Sequence, residues 1–148
     1  MEMTSLIPFQ SKRLTVLTGH FGSGKTEIAI NFTLGLARQG FPTVLADLDV
    51  VDPYFRSRER MDLLHENGVR LITSSPGEMD ADLPYMPAEI MALFENEELY
   101  GVLDVGGDGS GARVLARYRR YLKEAGADII CVINANRPLT ETAEDAIR

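Results

Sequence analysis

The sequence predicts an α/β fold on a mainly parallel sheet, and two features of the chain predict it. Five short apolar runs alternate with stretches of helical period from one end to the other, which is the pattern of strand-helix-strand units joined by right-handed crossovers. Most of these runs are near-continuous in apolar character and do not alternate, as parallel strands covered on both faces require.

The elements follow in order. The run 12-KRLTVLT-18 reads as the first strand, and 25-KTEIAINFTLGLARQ-39 as a helix that stops at Gly40, a C′ glycine. A second strand, 43-TVLAD-47, precedes a helix over 55-FRSRERMDLLHEN-67, whose His65 falls near the negative end of the helix dipole. The third strand is 69-VRLITS-74. After it, 76-PGEMDADLPYMP-87 reads as a solvated loop carrying Glu78, Asp80 and Asp82, and 87-PAEIMALFEN-96 as a helix. The fourth strand, 100-YGVLD-104, leads into a helix over 110-SGARVLARYRRYLKEAG-126, closed by Gly126. The fifth, 128-DIICVIN-134, holds Cys131 as an inert core residue. Residues 138–148 read as a loop and a helix start with Thr140 at the N-cap. A natural domain seldom ends in the first turns of a helix, so the expectation is one domain over 1–148 that is the N-terminal fragment of a longer one.

Composition excludes several classes. With 45% hydrophobic and 25% charged residues the chain has the balance of a globular protein. No apolar run approaches the ~18 residues of a membrane span, and residues 1–13 lack the order of a secretory signal; a cytoplasmic location is expected. A single cysteine rules out an internal disulfide and a multi-cysteine metal site. The net charge of −7 argues against generic nucleic-acid binding, and the basic string 113-RVLARYRRYLK-123 reads as the solvated face of a helix.

The chemistry concentrates in 19-GHFGSGKT-26, between the first strand and the first helix. Gly19, four residues, then Gly24, Lys25 and Thr26 is the P-loop spacing. Glycines let the backbone wrap an anion, while consecutive N–H groups and the helix N-terminus supply partial positive charge. Lys25 is expected on the β- and γ-phosphates and the Thr26 hydroxyl on Mg²⁺, with Gly22, Ser23 and Glu27 completing the cradle. Two acidic stretches follow. The second strand runs into 46-ADLDVVDPYFRSRE-59, placing Asp47, Asp49 and Asp52 just past a strand end, where ligands bind in open α/β sheets. The fourth ends in 101-GVLDVGGDGSGAR-113, an Asp104 that fits a Walker B carboxylate running into a Gly-Gly switch, with the amide of Gly106 or Gly107 sensing the γ-phosphate. Helix capping and turn formation are the bland alternatives for Asp47 and Asp52.

Together these three stretches resemble the MinD/ParA-type P-loop ATPases, the CobQ/CobB/MinD/ParA nucleotide-binding domain group, over about residues 12–138. The resemblance implies a three-layer α/β/α P-loop NTPase fold, binding of ATP and Mg²⁺, slow hydrolysis coupled to a conformational switch, a homodimer formed around ATP, and a protein partner. It assigns the phosphates and catalysis to Lys25, the attacking water to Asp49, and the metal to Thr26 and Asp104 with Asp47 behind them. It also implies that the strands leading to Lys25 and Asp104 are immediate neighbours. Two positions depart from the pattern: His20 stands where many members carry a signature lysine reaching across the dimer, and Phe21 where glycine is common. Asn134 or Asn136 falls where such proteins place a base-contacting asparagine, and Arg56, Arg58 and Arg113 flank the switches as arginine-finger candidates. A small-molecule kinase and a nucleotide-binding module without turnover are the competing functions; the kinase lacks an arginine-rich lid, and the absent Asn-Lys-x-Asp motif leans away from guanine.

Overall fold

The computed structural model of the protein describes residues 12–49, 58–73, 88–138 and 140–147. Among these residues five strands and five helices alternate: β1 (Leu14–Thr18), α1 (Lys25–Arg38), β2 (Thr43–Asp47), α2 (Arg58–Glu66), β3 (Arg70–Thr73), α3 (Ala88–Glu95), β4 (Tyr100–Asp104), α4 (Gly109–Ala125), β5 (Asp128–Cys131) and α5 (Ala143–Ile147). The strands form one sheet in the order β3-β2-β4-β1-β5, with every pairing parallel. The α/β class is as the strand and helix pattern of the sequence leads one to expect, and β1 and β4 are neighbours, as the resemblance implies.

Strand parity splits the core in two. Leu14, Val16, Val44, Ala46 and Leu103 pack with Ile90, Leu93 and Phe94 of α3 and Val114, Tyr118 and Leu122 of α4. Leu17, Leu45 and Val102 point the other way, onto Ala29, Ile30 and Leu34 of α1 and Leu64 of α2. Side chains two residues apart share a face. Asp47 and Asp104 therefore belong to the α1 side of the sheet, two residues on from Leu45 and Val102.

Local signals set the helix boundaries. Asp108 caps α4, its Oδ1 accepting from the Ser110 and Gly111 amides at 3.1 and 3.0 Å. Val114, Tyr118 and Leu122 form the buried stripe of that helix, while Arg113, Arg117, Arg119, Arg120 and Lys123 are exposed, the solvated face expected of the basic string. His65 lies in the last turn of α2. Arg13, next to β1, donates to the Leu93, Phe94 and Leu99 carbonyls, satisfying the C-terminal end of α3 from across the sheet.

Three expectations need correction. Cys131 is exposed and not part of the core, because β5 is the sheet edge, and on the face packed by α4 its Ile129 and Cys131 both remain exposed. The strand stops at Cys131, short of residue 134, where an Asx turn takes over: the Asn136 amide donates to Asn134 Oδ1 at 2.9 Å. Thr142, not Thr140, caps α5, accepting from the Asp145 amide at 3.1 Å; Thr140 instead donates to the Asn134 carbonyl at 2.8 Å.

Candidate functional site

The chain leaves β1 at Thr18 and makes a four-residue turn, the Ser23 amide donating to the His20 carbonyl at 3.0 Å, before α1 begins. Gly22 has φ of 74°, a left-handed value that suits glycine at the third position of such a turn. Gly24 stands at the N-cap of α1 with φ of 88°, and no side chain caps this helix. Among the described residues no side chain accepts from its first-turn N–H groups, unlike those of α4, at the same end of the sheet. A helix start without a side-chain cap presents N–H donors and the positive end of the helix dipole, the chemistry an anion favours. Residues 20–27 and Asp49 line a cleft of about 350 Å³ there.

Register brings the acids to this cleft. Asp47 and Leu17 both pair with Asp104 across the sheet, so the ends of β1, β4 and β2 lie side by side. The ladder continues one bond past the strands, with the Leu48 amide on the Asp104 carbonyl and the Val105 amide on the Leu17 carbonyl, both at 2.9 Å. Lys25 Nζ sits 2.7 Å from Asp49 Oδ2 and 2.8 Å from Asp104 Oδ1, and Thr26 Oγ1 donates to Asp104 Oδ2 at 2.9 Å. The Asp49 amide in turn donates to Asp47 Oδ1 at 3.1 Å. Lys25, Thr26, Asp47, Asp49 and Asp104 are therefore one hydrogen-bonded cluster.

Burial sets its electrostatics. Desolvation raises Asp47 to about 7, reinforced by the nearby charge of Asp104 and opposed by the Asp49 amide. Burial likewise pushes Asp104 above the usual carboxylate range, against the pull of the Lys25 ammonium and Thr26 hydroxyl. For Lys25, burial works to lower the pKa, but the hydrogen bonds and charges of Asp104 and Asp49 outweigh it and the pKa rises. A charged lysine facing crowded carboxylates leaves surplus negative charge beside the glycine-rich turn, the situation a divalent cation relieves.

No known protein family matches the chain, and no curated protein matches it. The site's own chemistry must carry the reading. Thr26 and Asp104 are hydrogen-bonded to each other and Asp47 lies in the same cluster, a hydroxyl and two carboxylates of the kind that suit magnesium; among the described residues no group of three or more acidic, histidine or cysteine side chains could hold a metal ion by itself. Magnesium is commonly held by one or two carboxylates plus substrate phosphates.

Of the other expected residues, Gly107 packs on the backbone of Gly19 with no room for a side chain between them, and the Thr18 hydroxyl donates to the Gly106 carbonyl at 3.3 Å. Both tie the Gly-Gly segment to the loop. Among the described residues the buried Ser23 Oγ has no hydrogen-bond partner. Glu27 lines the cleft and is ion-paired with Arg60 of α2. His20 and Phe21 are exposed at its rim. Asn134 reaches the loop, its Nδ2 3.4 Å from the Gly22 carbonyl, whereas Asn136 contributes its backbone amide to the Asx turn. Arg113 is exposed on α4. Asp52, Arg56, Glu78, Asp80, Asp82 and the side chain of Arg58 lie outside the described residues. Two contributors escaped sequence reasoning. Asp108 was signalled by the Asp-Gly-Ser-Gly start of α4; Arg137, which meets the loop from 116 positions away, had no local signal.

Proposed function

We propose that this chain is a Mg-ATP-binding P-loop NTPase of the MinD/ParA type, which hydrolyses ATP slowly and couples hydrolysis to a conformational switch. The observation that carries the reading is Lys25, at the start of an uncapped helix, bonded at once to Asp49 and Asp104. A lysine shared between two carboxylates at strand ends can keep one while exchanging the other for a phosphate oxygen. In this reading the loop amides and Lys25 hold the β- and γ-phosphates, and Thr26 and Asp104 hold Mg²⁺ with Asp47 behind them. When bound, the metal neutralises charge on the transferring phosphoryl group. Asp49, 12% exposed, orients the attacking water as it leaves Lys25. A homodimer around ATP and signalling to a protein partner belong to the same proposal, with exposed His20 and Phe21 on the rim that a partner subunit would meet.

Titration calorimetry of the wild type and Lys25→Ala with ATP and GTP, each with and without Mg²⁺, tests it. The expected result is Mg²⁺-dependent binding of ATP by the wild type and a loss of at least about tenfold in Lys25→Ala, since a charge-assisted contact contributes about 1.5–3 kcal/mol. An equal dissociation constant for the two proteins would overturn the reading.

A further inference from the structure

We infer that Arg137 is a positioning residue for the anion cradle: its hydrogen bond to the Phe21 carbonyl locks the Phe21–Gly22 peptide in the orientation that aims the Gly22 N–H at the ligand. This rests on the P-loop reading above. A turn of the kind formed by residues 20–23 has two forms that differ by a flip of its central peptide, and the positive φ of Gly22 marks the type II form. Glycine tolerates either sign of φ, so the residue that permits this turn also permits its flip. Something outside the turn must choose.

The segment after β5 makes that choice. Arg137 Nη1 donates to the Phe21 carbonyl at 2.6 Å, and its guanidinium lies where a side chain on Gly22 would stand. Because C=O and N–H point in opposite directions across a planar trans peptide, fixing the Phe21 carbonyl on Arg137 turns the Gly22 N–H the other way. A flipped peptide would exchange that donor for a carbonyl oxygen and repel an anion. Asn134 Nδ2 reaches the next carbonyl, that of Gly22, at 3.4 Å. Arg137 is itself held, its amide donating to the Asn134 carbonyl at 3.2 Å and its carbonyl accepting from the Thr140 amide at 3.2 Å. The clamp is thus anchored on a structured turn.

The variants Arg137→Lys, which keeps a donor, and Arg137→Met, which keeps length without one, separate positioning from bulk; the site is exposed, so both are expected to fold. In the nucleotide-free full chain, hydrogen exchange read by mass spectrometry or NMR should quicken about tenfold over residues 20–24 in Arg137→Met, with α1 beyond residue 28 unchanged. Arg137→Lys should restore most of the protection. ATP affinity by calorimetry should fall about tenfold in Arg137→Met, the effect of losing one charged hydrogen bond, and recover in Arg137→Lys. Uniform acceleration across the chain would show a merely structural role and overturn the inference. So would unchanged loop exchange, or equal ATP affinity in all three proteins. If the wild type exchanges as expected but binds no nucleotide, the P-loop reading fails and the proposed purpose of the clamp fails with it.

Discussion

On the proposed reading Asp49 competes with phosphate for Lys25, so removing it should tighten ATP binding while sharply lowering hydrolysis. The pair is short, at 2.7 Å, with only 5% and 12% of the two side chains exposed, and Lys25 keeps Asp104 at 2.8 Å when Asp49 is gone. A charged hydrogen bond of this kind contributes about 1.5–3 kcal/mol, of which the desolvation already spent on Asp49 returns a part. The residual gain in ATP affinity for Asp49→Ala is then up to about tenfold. Hydrolysis, measured as a single turnover with enzyme in excess, should drop about 10²–10⁴-fold, the usual contribution of a group that positions or deprotonates the nucleophile. Asp49→Asn, which keeps a hydrogen-bond acceptor without the charge, should fall between. A weaker ATP affinity in Asp49→Ala would refute competition for Lys25, and normal hydrolysis would refute the role on water.

Two further substitutions divide the remaining labour. Asp104→Ala should weaken ATP binding about tenfold or more with Mg²⁺ present and much less in EDTA, because the role proposed for it is to hold the metal that neutralises the phosphates; equal losses in both conditions would argue against it. Asp47, raised to about 7 in the folded protein from an ordinary 3.8, keeps its proton in the native state across that interval and loses it in the unfolded one. Its contribution to stability therefore falls as pH rises from about 4 to 7, by up to about 4 kcal/mol in all. Asp47→Asn should flatten that decline, and denaturant unfolding at pH 5 and pH 8 should show the variant gaining on the wild type at the higher pH; parallel profiles would refute it.

Much of this architecture was written locally. Unbroken apolar runs such as 43–47 and 100–104 mark buried parallel strands, and a glycine-rich turn before a helix marks an anion cradle whatever the rest of the chain does. The cluster was legible residue by residue, because acids just past strand ends and a lysine opening the helix after a strand all fall at the carboxyl end of a parallel sheet. That Lys25 bridges two of those acids depends on the order β2-β4-β1, which spacing along the chain does not encode. Cys131 went astray for a related reason: the apolar run around it says strand, but whether a strand is covered on both faces is a property of its neighbours. Arg137 was beyond reach, since a side chain that grips a backbone carbonyl leaves no pattern at the residue it grips.

The register of β4 also dictates where this chain can change length. Side chains alternate along a strand, so one residue inserted or deleted between Tyr100 and Asp104 would rotate Asp104 to the face packed by α3 and α4, out of reach of Lys25 and Thr26. A two-residue change would restore the face but shift the carboxylate by about 6.6 Å, more than twice its present distance to either partner. A few residues earlier, Glu97 and Glu98 sit exposed in the connection from α3, where added residues loop outward at small cost. Natural variants of this protein should therefore differ in length at that connection and keep the strand's residue count constant.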